Sequence, residues 1–202
     1  MFRPSLLFAL DLKHGSSPHT EYLIPYLAKV YHTIVKQEPY QSILELHTSM
    51  EIRRYHHTDY EAVWELHILG LQHAGAYAGN GPWDDDLHHI DEVYLHNRGE
   101  FLVGVHEGRI IAMGAFRKTD NERAEIKRMR VHPDFHGHGY GQMILQELEV
   151  RAIAMGYSIL HLDTSTIQLA AQSLYRKNGF KETGKVKVRR GFTEIFFEKR
   201  LT

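Results

Sequence analysis

The chain of 202 residues contains no cysteine, which removes a disulfide framework, a thiolate metal site and a cysteine nucleophile. A reducing cytoplasm is the compartment this usage suits. Long hydrophobic runs are missing too: no stretch approaches the roughly 18–20 apolar residues of a membrane-spanning helix. The segment from Ser5 to Leu10 is too short for a signal-peptide core, and Asp11 and Lys13 follow it. Neither sign of charge prevails, with 24 Lys+Arg against 25 Asp+Glu, so no nucleic-acid partner is expected. The basic groups at Lys127, Arg128 and Arg130, and from Lys185 to Arg190, read as solvated strand faces. Histidine is abundant, yet His132, His136 and His138 fall on one turn without a further carboxylate or thiolate anchor, so no metal is expected.

What is present suits one domain, residues 50–202, with an N-terminal extension, residues 1–49; 43% of the chain is hydrophobic and 24% charged. In the extension Leu23, Ile24, Leu27, Val30, Tyr31, Ile34 and Val35 follow helical spacing over Glu21–Lys36. This amphipathic helix is either a packing appendage or a partner contact, compatible with a monomer or a homodimer. Met50, directly before the first strand, is an alternative start. From there the pattern predicts a strand over Glu51–Tyr55 and a capping box, Thr58 to Glu61, opening a helix to about Leu71. A loop over Gly75–Trp83 precedes a helix from Asp84 or Asp85 to His96. Strands Phe101–His106 and Arg109–Phe116 flank Glu107-Gly108, a hairpin signal. Further strands are predicted over Ala124–Val131, Ile159–Leu162, Phe180–Val188 and Phe192–Lys199. Strict alternation over 124–131 puts Glu125, Lys127, Met129 and Val131 on one face, an imperfect core pattern that predicts a bulge.

The rest of the chain is organised around Val131 to Leu145, VHPDFHGHGYGQMIL, a strand end, a glycine-rich turn and the start of a helix. Glycines at 137, 139 and 141 let backbone approach a ligand closely, and the helix start offers unpaired N–H groups with a positive dipole end. Such a turn holds phosphate, although a lone glycine-rich turn is as often a plain connection. Behind it Ile144, Leu145, Leu148, Ala152 and Met155 recur at helical spacing and Gly156 supplies a stop. The order GxGxG, late in the chain, is not the dinucleotide fingerprint, and Gly141-Gln142 is not the end of a Walker loop.

A second stretch, Gln168 to Phe180, QLAAQSLYRKNGF, follows the apolar strand at Ile159–Leu162. Together the two stretches resemble the GNAT superfamily of acyl-CoA-dependent N-acyltransferases over roughly residues 50–200. The family's loop pattern Gln/Arg-x-x-Gly-x-Gly/Ala is met by His136-Gly137-His138-Gly139-Tyr140-Gly141. Its later pattern, Asn-x-x-Ala-x-x-Leu/Phe-Tyr-x-x-x-Gly-Phe, is met by Gln168, Ala171, Leu174, Tyr175, Gly179 and Phe180. His136 stands for Gln/Arg in a loop that acts through backbone amides; Gln168 stands for Asn and puts a side-chain contact to the cofactor in question.

The resemblance implies an α/β (α+β) fold with a mixed, mostly antiparallel central sheet and helices on both faces. It implies an N-acetyltransferase that moves the acetyl group of acetyl-CoA directly to a primary amine of a small molecule, peptide or protein, or else a silent acyl-CoA-binding regulatory domain. The loop from His136 to Gln142 would hold the pyrophosphate, and backbone around Met129, Arg130 and Val131 the pantetheine arm, with Gln168 and Tyr175 completing the cofactor site. Glu125, eleven residues before His136, matches the strand glutamate that serves as general base in histone-type members, provided its surroundings raise its proton affinity; the other reading is an ion-pair partner of Arg128 or Arg130. Tyr175 matches the tyrosine that protonates the departing sulfur, or is a packed aromatic. Trp83, Asp84 and Asp85 fall where the family covers its acceptor and would attract a cationic amine, unless the acids are ordinary helix-start charges.

Overall fold

Seven strands form one sheet in the computed structural model, which describes residues 50–189 and 191–201. The helix expected over Glu21–Lys36 lies outside the described residues. In chain order the strands are β1 (Glu51–Arg54), β2 (Glu100–His106), β3 (Arg109–Lys118), β4 (Arg123–Val131), β5 (Ile159–Ser165), β6 (Lys181–Arg189) and β7 (Phe192–Arg200). Their spatial order is β1-β2-β3-β4-β5-β7-β6, antiparallel throughout except for the parallel pair β4–β5. Glu107 and Gly108 take positive φ of 50° and 75°, the two left-handed positions of a tight hairpin turn.

Among the described residues the α-helices are α1 (Tyr60–His73), α2 (Asp85–His88), α3 (Tyr140–Ala154) and α4 (Leu169–Lys177). Strand alternation divides the core between the two faces of the sheet, as the resemblance led us to expect. Phe101, Val103, Met113 and Ala115 face Val63 and Leu66 of α1 together with Leu87, Ile90 and Tyr94. Leu102, Ala112 and Phe116 face the opposite way, onto Ile144, Leu145, Leu148 and Ala152 of α3 and onto Tyr175, Phe180 and Phe197. Helix α3 lies so close to the sheet that a Cβ at Gly114 would sit 2.5 Å from Met129 Sδ and 2.6 Å from Ile144 Cγ2. No helix among the described residues is long and apolar enough to cross a membrane.

Two local departures matter. The chain enters α1 through a 3-10 turn, His57–Asp59, and it is Asp59 that caps, accepting from the His56 amide at 2.8 Å and from Arg53. The expected Thr58–Glu61 box is displaced because Asp59 has a cationic partner on β1. The helix expected from Asp84 to His96 is broken into a 3-10 turn (Pro82–Asp84), α2 and a π-helical turn (Asp91–Leu95). The side chains of Asp84, Asp86 and Tyr94 explain the break: they turn inward to hydrogen-bond Arg128 or each other instead of lying along a regular helix.

Candidate active site

The cleft follows from how β4 pairs with its neighbours. On the β3 side Met113 faces Arg130 while Ala115 faces Lys127, so Arg128 and Met129 together oppose Gly114. That is the expected bulge, and Arg128 takes a left-handed φ of 56° there. The slip changes which positions face α3: Ala124 and Ile126 before the bulge, Met129 and Val131 after it. On the other side the parallel pairing with β5 covers only Arg123↔Ile159, Ala124↔Leu160 and Glu125↔His161. Beyond that point the ladder stops, although β4 continues to Val131 and β5 to Ser165. A cleft of about 470 Å³ lies here, lined by Met129 and Arg130 from β4, Asp163 and Ser165 from β5, Gln168 at the N-cap of α4, Tyr175 within α4, and the segment Pro82–Asp86.

Past the end of β4 the glycine turn leads into α3. Gly137 and Gly139 have φ of 82° and 81°, and a Cβ on either would meet nothing within 4 Å. Open space over a left-handed glycine pair, next to the amides of a helix's first turn, is the chemistry of an anion cradle. His136 contributes more than backbone: its Nε2 lies 2.9 Å from the Val131 carbonyl oxygen, tying the turn to the strand. His138 Nδ1 lies 3.0 Å from the His136 carbonyl oxygen, and its ring stacks on Tyr140 with centroids 5.9 Å apart. Gln142 is exposed on the first turn of α3, whereas Val131 packs into the α3 core.

Tyr175 is buried at 5% exposure between the rings of Phe180 and Phe197, yet lines the cleft. Burial pushes its phenol up to about 12, Arg130 drawing it down and Asp163 raising it, so the group is a protonated donor at neutral pH. Gln168 stands at the start of α4, and its Oε1 accepts from Thr164 Oγ1 at 3.0 Å. Its oxygen is thus engaged within the protein, which is what the change from asparagine left in question.

Glu125 is ion-paired, but with Arg117 at 2.7 Å and Lys127 at 3.5 Å, not with Arg128 or Arg130. Burial alone would raise its proton affinity; Lys127 and Arg117 outweigh that and hold the carboxyl below its ordinary value. The condition attached to a base role, a raised affinity, is therefore not met. Asp84 is 2% exposed, lying 3.0 Å from His67 Nε2 and 3.3 Å from Arg128 Nη1. Oδ1 is thus held within the protein, while the residue also lines the cleft and its Oδ2 has no hydrogen-bond partner among the described residues. Asp85 is exposed and lines the cleft, as does Trp83, whose indole covers Gly81 and donates to the Gly79 carbonyl at 3.1 Å.

Two side chains of the site carry no clear mark in the sequence. Arg128 read as a surface charge, but it reaches across to α2, pairing with Asp86 and donating to the Trp83 carbonyl at 2.7 Å. The only signal was the broken alternation around it. The strand expected over Ile159–Leu162 runs on to Ser165, and the extra length carries Asp163 into the lining of the cleft, 3.8 Å from Lys127 Nζ. Among the described residues no cluster of three or more His, Asp or Glu is arranged to hold a metal ion.

Comparison with known proteins agrees with this geometry. The chain is 38% identical over 85 residues to an IAA acetyltransferase of Azospirillum brasilense, covering 42% of this chain and 56% of that protein, so it spans little more than half of that relative. It is 32% identical over 133 residues to an acetyltransferase of Pectobacterium atrosepticum, covering 63% of this chain and 85% of the other. A Salmonella typhimurium protein solved with its cofactor acetyl-CoA has the same fold, with a TM-score of 0.63 at 23% identity over 77% of this chain and 95% of that one. A profile of the Acetyltransferase (GNAT) family matches residues 60–180. That match runs from the first residue of α1 through the bulge, the parted strands and the glycine turn to the phenylalanine after α4, and the chain belongs to the GNAT acetyltransferase family.

Proposed function

We propose that residues 50–202 form the catalytic unit of a cytoplasmic N-acetyltransferase that moves an acetyl group from acetyl-CoA directly to a primary amine. The observation that carries this reading is the place where the β4–β5 ladder stops, since it leaves a strand edge at Met129–Val131 open beside a protonated tyrosine and a glycine turn. The residues present fit acetyl-CoA: the turn from His136 to Gly141 with the α3 amides suits a pyrophosphate, and the open β4 edge suits an amide-bearing arm added like a strand. Acetyl-CoA, when bound, supplies the activated thioester carbonyl.

The protein's part is to orient the amine and move two protons. Asp163, on the β5 wall of the cleft, takes a proton from the ammonium so that the neutral amine attacks the thioester carbonyl; the proton the nitrogen loses as the new C–N bond forms, and the one Asp163 holds, pass to solvent. Tyr175 gives its phenolic proton to the sulfur as the C–S bond breaks, and the phenolate regains a proton from solvent. The balance is an amide and a free thiol from an amine and a thioester. Glu125 positions Arg117 and Lys127 through its ion pairs.

Steady-state rates for the wild type, Tyr175→Phe, Asp163→Asn and Glu125→Gln, with one identified amine from mildly acidic to alkaline pH, test the assignment. Tyr175→Phe should lower kcat at least about tenfold at every pH, because general acid-base groups commonly contribute ~10²- to 10⁴-fold. Asp163→Asn should lose most where the amine is protonated and recover as pH rises. If Glu125→Gln shows that alkaline rescue and Asp163→Asn does not, the base is Glu125.

A further inference from the structure

Charge bookkeeping inside the cleft leaves one cation over. Arg117 is held by Glu125, Lys127 lies within 4 Å of Glu125 and Asp163, and Arg128 is held by Asp84 and Asp86. Arg130 has no carboxylate within ion-pair distance among the described residues. Its Nη1 donates to its neighbour's carbonyl, Met129 O, at 2.7 Å, and its Nε is buried without an acceptor. An unpaired guanidinium is costly to bury and is retained where an anion arrives to complete it.

The placement of Arg130 is built in from two sides. After the bulge, Met129 turns towards α3 and Arg130 turns the other way, onto α1. There its Cδ lies 2.8 Å from where a Cβ at Gly70 would be. Gly70 stands inside a helix, where glycine is unfavourable relative to alanine; here it leaves room for the arginine stem. The guanidinium lines the same cleft as Tyr175 and Asp163, and its charge is felt at the Tyr175 phenol. Burial and the neighbouring Arg128 lower it to about 10, which still leaves it cationic at neutral pH.

We propose that Arg130 is the anion anchor of the acceptor site, so that the amine acetylated here carries a carboxylate next to its amino group, as a free amino acid does. Arginine suits this because its planar fork takes a carboxylate in a bidentate grip. The carboxylate would dock on the α1 side of β4 and leave the amino group towards Asp163 and Tyr175. The inference rests on the amine-acetylating reading above, but it concerns a side chain that reading does not use.

The test uses the full chain and its Arg130→Met and Arg130→Lys variants, methionine keeping the stem that packs on Gly70. Thiol release from acetyl-CoA is followed with L-methionine, L-phenylalanine and L-aspartate, each beside its α-carboxamide. In parallel, calorimetry in the presence of CoA measures binding of the N-acetylated forms of the same pairs. In the wild type at least one pair should favour the carboxylate by roughly 10- to 100-fold in kcat/KM and in product affinity, the span of a charge-assisted hydrogen bond or two. Arg130→Met should bring that ratio close to one with acetyl-CoA affinity changed less than about twofold, and Arg130→Lys should keep part of it. Ratios near one for every wild-type pair, in rate and in binding, overturn the proposal. So does a loss of acetyl-CoA affinity in Arg130→Met as large as its loss of acceptor affinity, which would make Arg130 a donor anchor. Carboxylate-selective product binding without turnover keeps the anchor and removes the enzymatic reading; turnover without carboxylate preference does the reverse.

Discussion

Replacing Arg128 by methionine removes a guanidinium that is only 9% exposed and whose carboxylate partners, Asp84 and Asp86, are 2% and 12% exposed. Solvent screening is weak for a group so enclosed, so the discount that applies to surface pairs does not apply here. Breaking a buried pair by deleting one partner commonly costs about 3–5 kcal/mol. The lower end is expected, because Asp84 keeps His67 and Asp86 keeps the Tyr94 hydroxyl. A loss of about 3 kcal/mol is a large share of the 5–15 kcal/mol typical of a domain. Urea denaturation should read it as a lower midpoint at unchanged slope. Two companions separate the causes. Adding Asp86→Asn to Arg128→Met should restore about 1 kcal/mol or more, since it removes the stranded charge. Arg128→Gly should be about 1 kcal/mol more stable than Arg128→Ala, because φ at this position is 56° and only glycine occupies that region freely. If Arg128→Met costs less than about 1 kcal/mol, the clamp is an exposed contact in solution and the account of the broken α2 segment fails with it.

The same clamp predicts an acid response. Burial would raise Asp86, but Arg128 and the Tyr94 hydroxyl outweigh it and hold the carboxyl below its ordinary 3.8. Its contribution is therefore complete above that value and lost as pH falls through the lower folded value; circular dichroism against pH should place the acid transition of Arg128→Met higher than that of the wild type. Gly139→Val forces a branched side chain onto a left-handed φ of 81° at the mouth of the anion cradle. Calorimetry should show acetyl-CoA affinity falling by at least about tenfold while thermal unfolding shifts by no more than strain of about 1–3 kcal/mol implies; unchanged affinity in a folded variant would refute the cradle.

The architecture was legible because each of its signals is local. Alternation from Phe101 to Phe116 about Glu107-Gly108 writes a hairpin whatever the surroundings, and the α3 stripe of Ile144, Leu145, Leu148 and Ala152 is buried as its spacing required. The glycine turn was legible for the same reason, a left-handed residue leaving a mark in the sequence. Ion-pair choice was not. Proximity along the chain offers Glu125 the arginines at 128 and 130, whereas its partners sit across the β3 register at Arg117 and on its own face at Lys127. The acidic run Asp84–Asp86 looked like helix-start charge because its partner, Arg128, comes 42 residues later.

The broken alternation at 128 ties these misreadings together. Without the extra residue, Arg128 would share a face with Ala124 and Ile126 and would have to lie in the apolar core against α3, while Met129 would point at α1. The bulge exchanges them: methionine enters the α3 core, Arg128 swings out to clamp the segment over the cleft, and Arg130 comes to rest on Gly70. One residue of slip therefore decides at once the burial of the strand, the anchoring of the segment Pro82–Asp86 and the placing in the cleft of an arginine with no carboxylate partner among the described residues. The parallel β4–β5 pair adds the remaining requirement. A ladder continuing past Glu125 and His161 would occupy the edge at Met129–Val131 with backbone from β5, so the strands must part at the residues where the bulge has already turned β4.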